Sequence, residues 1–214
     1  AAFVFEASAD GAVKTARKGI AILRLYATGV ESHAGLDPWK GASAIDALVE
    51  ACAQIKLLED REKETTFNVG LIEGGTGSNV VAGRASAIVD VRYWTPDEQP
   101  RIEQALKQIT WGNERANVQI DIEWNRPPMV RTEGTENLFQ LLQQQASALG
   151  EELEEIAVGG ASDANYISER GIPVICGLGA VGDGAHARHE FIFPDRIPAT
   201  IATVTNAIEA LSRE

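Results

Sequence analysis

Residues 85–94 read ASAIVDVRYW, and the alternation within them governs the reading of the fold. Ala87, Val89, Val91 and Tyr93 share one face, while Asp90 and Arg92 share the other. Period-two alternation predicts a strand with one buried and one solvated face, as antiparallel sheets have. Just upstream, TTFNVGLIE at 65–73 predicts a second strand, joined to the first by the glycine loop GGTGSNVVAG at 74–83. Further back, GIAILRLYAT at 19–28 alternates as a strand does. Ile45, Leu48, Val49, Cys52, Ile55 and Leu58 then recur at threes and fours, the stripe of an amphipathic helix within 41–59. Downstream, Pro96 with Asp97 and Glu98 opens a helix whose stripe is Ile102, Ala105, Leu106 and Ile109. NVQIDIEW at 117–124 alternates again. Strand, helix, strand, strand, helix, strand over 19–126 is the order of a ferredoxin-like α+β unit, whose helices cover one sheet face.

NRPPM at 125–129 closes that unit, because paired prolines stop both ladder and helix. An α/β pattern follows. A helix is expected from about Thr135 to Leu149, with Leu138, Leu141, Leu142 and Leu149 on one side. The turn GGASDAN at 159–165 leads to a short helix and then to the strand IPVICGL at 172–178. A last helix places Ile197, Ile201, Val204, Ile208 and Leu211 on one stripe. The chain is thus expected to be α/β, with residues 1–18 and 127–214 forming one domain and 19–126 inserted into it.

The 214 residues carry a formal charge of −12 and no Lys/Arg cluster, which argues against nucleic acid or an anionic membrane as partner. No apolar run is long enough to span a bilayer. Cys52 and Cys176 both fall in apolar patterns and read as buried core thiols. Unpaired cysteines suit a reducing, cytoplasmic setting without requiring it. AAFVFEAS opens the chain inside an apolar strand, so the sequence reads as the truncated part of something longer, from which a signal peptide could have been lost.

Several residues can carry chemistry. Glu6 follows the apolar FVF and is either a metal ligand at a strand end or an edge carboxylate. His33 lies in the turn-rich TGVESHAGLDP, where an imidazole can donate to a developing oxyanion or simply face solvent. Asn79 in the glycine loop, Arg92 on the open strand face and Arg126 at the end of the last strand could grip a carboxylate; for the arginines, surface ion pairs are the alternative. Gly160 and Ser162 sit at a helix start whose free amides suit either capping or an anion. In GDGAHARHEFIF at 182–193, His186 stands four residues before Glu190 and could reach a cation, with His189 a spacer between them.

Taken together, FEAS, ADGAVKTARKG, SHAGLDP, GASAIDAL, GGTGSNVV, VDVRY, GGASDAN and HARHE resemble, in order and spacing, the M20 metallopeptidases. The likeness is strongest to their glutamate carboxypeptidase (carboxypeptidase G2-like) branch. Ala7 stands where that family often has proline. The resemblance implies a lid or dimerisation domain at 19–126, inserted into a zinc-peptidase α/β domain. It implies two zinc ions, with Glu6 and His186 each a ligand of one. It assigns His33 to the scissile carbonyl oxygen, often across a dimer. Asn79, Arg92 and, in this branch, Arg126 would hold a substrate carboxylate, and Gly160 and Ser162 would line the site. The implied substrate is a small peptide or N-acyl amino acid, and the implied partner a second copy joined through the lid. The family's His-x-Asp pair, its adjacent glutamates and its general base have no counterpart in these 214 residues, so the chain alone is expected to be inactive. An aminoacylase, a desuccinylase or a non-catalytic dimerisation module are the alternative readings.

Overall fold

The computed structural model describes residues 1–184 and 187–213. In chain order the elements are β1 (Ala2–Val4), β2 (Val13–Arg17), β3 (Gly19–Thr28), α1 (Ala44–Lys56), β4 (Thr66–Gly74), β5 (Arg84–Tyr93), α2 (Glu98–Leu106) and β6 (Asn117–Arg126). They continue as α3 (Glu133–Ala148), β7 (Glu155–Val158), α4 (Ala164–Glu169), β8 (Val174–Cys176), β9 (Gly182–Asp183), β10 (Phe191–Ile192) and α5 (Ile197–Leu211). The chain divides into two compact units, one of residues Ala1–Gly19 with Arg126–Glu214, the other of Ile20–Asn125.

The central unit is a four-stranded sheet in the order β4-β5-β3-β6, the strand order of a ferredoxin-like unit, with α1 and α2 on one face. Its core follows from the alternation. Leu23 and Leu25 of β3, Val89, Val91 and Tyr93 of β5, and Leu48 and Ile55 of α1 are fully buried together. Ser43 starts α1 by accepting the Asp46 amide at 3.1 Å, and the Pro-Trp-Lys turn before it is clamped by Arg115, whose guanidinium donates to the carbonyls of Trp39, Lys40 and Gly41. That clamp fixes the far end of the loop that carries His33. Antiparallel pairing of β4 with β5 slips between Val69 and Leu71, and beyond the bulge β4 leaves the core, with Leu71 and Ile72 exposed on successive sides.

The other unit holds a mixed sheet in the order β1-β8-β2-β7. β1 runs parallel to β8, β2 antiparallel to β8, and β7 parallel to β2. Helices cover both faces: α3 and α5 bury Ile175 with Val13, Leu142 and Val204, while α4 packs on Val174, Cys176 and Met129 from the other side. The strand EIAV at 155–158 and the β9–β10 pair were not legible, being too short for alternation to show. One expectation is corrected. The α5 stripe does not face the core as a whole, because Ile201 and Ile208 are 59% and 50% exposed and the helix buries Thr203, Val204 and Ala207 instead. The apolar arc of α5 is wider than the surface it rests on.

Candidate functional site

The central unit presents His33 and Asn79 side by side. Past β3 the chain continues against residues 79–83: Gly29 donates to Gly83, Val81 to Ser32 and Ala34 to Asn79, and His33 pairs antiparallel with Val80. The fit is tight, since a Cβ on Gly29 would meet the Ala42 carbonyl oxygen and one on Gly41 the Ser32 hydroxyl. His33 Nδ1 accepts the amides of Gly35 and Leu36, both at 3.1 Å. Two N–H groups directed at one ring nitrogen suit the tautomer that keeps Nδ1 bare and its proton on Nε2. His33 is exposed, as is Asn79, whose side-chain amide makes no hydrogen bond among the described residues.

Arg92 does not join them. It lies at the far end of β5, paired with Thr66, whereas the Asn79 loop enters β5 at Arg84. Eight residues at strand rise separate Arg84 from Arg92, about 26 Å. The Asn79 loop and Arg92 therefore stand at opposite ends of β5. Arg92 is instead bidentate on Asp90 of its own strand, at 2.7 and 2.9 Å.

In the other unit the ends of β1 and β8 are tied. Gly179 donates to the Glu6 carbonyl at 2.8 Å, and a Cβ at Gly179 would strike the backbone oxygens of Phe5 and Glu6, which is why glycine stands there. Glu6 itself is an exposed carboxylate, with no hydrogen-bond partner for its side chain among the described residues. Near it, Lys14 donates to the Ala7 carbonyl at 2.7 Å. Burial lowers the Lys14 ammonium from its ordinary value, and the Arg17 charge lowers it further, while Cys176 and Glu6 oppose the shift.

Gly160 and Ser162 belong to the turn between β7 and α4. Ser162 is buried: its amide donates to Asn165 Oδ1 at 2.9 Å, and its hydroxyl accepts the Ala164 amide at 3.2 Å and touches Cys176 Sγ at 3.4 Å. Since Cys176 is the register partner of Val4, this turn is linked to the strand end where Glu6 stands. Arg126 reaches the same turn, donating to Asp163 at 3.3 Å and lying over the Tyr166 ring at 5.4 Å. The sequence reading missed Arg17, which donates to the Gly160 carbonyl at 2.8 Å and to Cys176 Sγ at 3.1 Å. Its signal was an arginine at the last position of VKTAR, on the same alternating face as Val13 and Thr15.

His186 lies outside the described residues. Among the described residues no three His, Cys, Asp or Glu side chains gather to hold a metal ion. A catalytic zinc takes about three protein ligands, so Glu6 by itself does not fit one. No described helix is long and apolar enough to cross a membrane.

Residues 15–110 match the model of a peptidase dimerisation domain. The chain is 28% identical over 193 residues to carboxypeptidase G2 of Pseudomonas sp. (strain RS-16), a match over 88% of this chain and 46% of that protein. It is 36% identical over 145 residues to a probable carboxypeptidase of Aspergillus terreus (strain NIH 2624 / FGSC A1156), covering 59% of this chain and 33% of that one. The crystal structure of aminopeptidase PepT from Bacillus cereus ATCC 10987 superposes with a TM-score of 0.86 at 25% identity, over 98% of this chain and 57% of that chain. The chain thus spans half or less of the length of the curated relatives it matches.

Proposed function

We propose, on the premise that this chain carries the dimerisation domain of the M20 peptidases, that it is part of a homodimeric hydrolase that cleaves a C-terminal amide bond in small peptides or N-acyl amino acids. In this reading Ile20–Asn125 is the lid through which copies meet, and the other unit is part of the α/β domain that holds the reacting bond. The observation that carries it is the state of His33: an exposed, rigidly looped imidazole with its proton on Nε2 is a ready donor to a carbonyl oxygen that gains negative charge. Zinc, which the M20 resemblance implies, would need ligands beyond Glu6, with His186 one candidate and further carboxylates or imidazoles in the remainder of a longer protein.

Two features support a dimer. β4 is an edge strand, and beyond its bulge Leu71 and Ile72 are 65% and 56% exposed, an apolar edge suited to a second copy. His33 with Asn79 and Arg92 stand at opposite ends of β5, farther apart than one small substrate can bridge. Each end is then read as serving a different active site, one in its own copy and one in its partner. Arg126 is the candidate for a substrate carboxylate contact, since its pair with the 82%-exposed Asp163 is a weak surface ion pair that a ligand can displace.

The test is hydrolysis of N-acyl-glutamate substrates by the intact zinc-supplied protein, beside tripeptides with a free amino terminus, which the PepT likeness brings into the panel. Turnover of the N-acyl-glutamates, reduced by Arg126→Ala, is expected; no amide hydrolysis at all contradicts the reading. The 214-residue chain alone is expected to be inactive.

A further inference from the structure

We infer that Arg17 is a positioning residue: it holds the 159–163 turn, and with it Gly160 and Ser162, in the shape a substrate meets. The inference rests on the hydrolase reading for its functional half only.

Arg17 is 5% exposed, and among the described residues no carboxylate pairs with it. Its Nε has no hydrogen-bond partner among them either. Burying a guanidinium without a counter-charge is costly, so what its remaining N–H groups touch is informative. One fork arm donates to the Gly160 carbonyl and the other to Cys176 Sγ. The anchor is rigid, because the Arg17 amide and carbonyl both bond Met129 at 3.0 Å. Ser162 meets the same sulfur from the turn side. The fork therefore closes a ring from β2 to the turn, across Cys176 of β8 and back.

Packing does not hold the glycines of this turn. A Cβ placed on Gly159 or Gly160 would meet nothing within 4 Å. Side-chain bonds do the holding: Arg17 on Gly160, and Asn165, whose amide group donates to the carbonyls of Lys18 and Pro127 while its oxygen accepts the Ser162 amide. Lysine cannot replace the fork, since one ammonium does not present two diverging N–H groups in a plane.

The experiment compares the intact protein with its Arg17→Lys and Arg17→Met variants. Amide exchange of a peptide spanning 159–166 is followed by mass spectrometry, with a β5 peptide of the other unit as control. Both variants should exchange the turn about tenfold faster with β5 unchanged, the scale of losing a charge-assisted hydrogen bond. If Arg17→Met does not fold, Arg17→Lys carries the test. In parallel, Arg17→Lys should raise KM about tenfold with kcat within about twofold, since a loosened turn weakens binding more than chemistry. Unchanged turn exchange overturns the inference, and so does faster exchange with KM and kcat both unaltered, which would leave Arg17 merely structural. A wild-type protein with no hydrolytic activity would count against the hydrolase reading alone, because exchange reads the turn directly.

Discussion

The exposed His33 side chain contributes to its own loop only as an acceptor for two neighbouring amides, so its removal should cost the fold little. Its worth should appear in catalysis. His33→Ala in the intact protein is expected to lower kcat about a hundredfold, the range measured when one oxyanion donor is lost. Thermal unfolding should stay near wild type, which separates the two effects. At this scale the sequence was informative about residue type and loop setting, as with His33 and Asn79 in turn-rich segments. It was silent about partners. Arg92 read as either a grip for a substrate carboxylate or a member of a surface ion pair, and its partner is Asp90, two positions away and so on the same strand face, held bidentately. Arg17 sat in a core-directed strand and drew no notice, because a buried arginine is recognisable only once the carbonyl and sulfur it touches are in place.

The helices and long strands show what periodicity carries. β3, β5 and β6 alternate over ten residues each, and the sheet face that α1 and α2 cover follows from that. α5 was read with the right span and the wrong inner face, since spacing reports an apolar arc and not which part of the arc meets a neighbour. α2 held a feature that composition disguised. Glu98 looked like an ordinary acid in a first turn, favoured there by the helix dipole. It is in fact buried, and its carboxylate accepts from Lys63 at 2.8 Å, Thr65 at 2.7 Å and Arg101 at 2.6 and 2.9 Å. Burial pushes this carboxyl up, but the three donors outweigh it and hold it down at about 2. A carboxyl lowered in the folded state adds stability that is complete above its ordinary value of 4.5 and is lost as pH falls from there toward 2. Glu98→Gln should therefore destabilise the chain by about 2 kcal/mol at pH 7, with the difference shrinking below pH 4. Urea titrations of both proteins at pH 7, 4 and 3 check this, and a pH-independent difference would contradict it.

For the molecule as a whole, the proposed dimer rests on an edge and a length. The edge is β4 beyond its bulge, where Leu71 and Ile72 lie open. Leu71→Lys with Ile72→Glu should convert a dimer to a monomer in sedimentation velocity while leaving each unit folded, and should abolish turnover with it. The length is that of β5, which holds His33 and Asn79 away from Arg92. In the proposed reading, that length is why His33 and Arg92 are assigned to different active sites.

The most direct measurement is complementation in a purified hybrid of the intact protein, one subunit carrying His33→Ala and the other Arg92→Ala. Each variant as its own homodimer should be nearly inactive. The hybrid has one site that receives its Arg92 from one subunit and its His33 from the other, so it should recover about half the wild-type rate. A hybrid no more active than the two homodimers would mean that both residues serve a single site within one copy, and the account would be wrong.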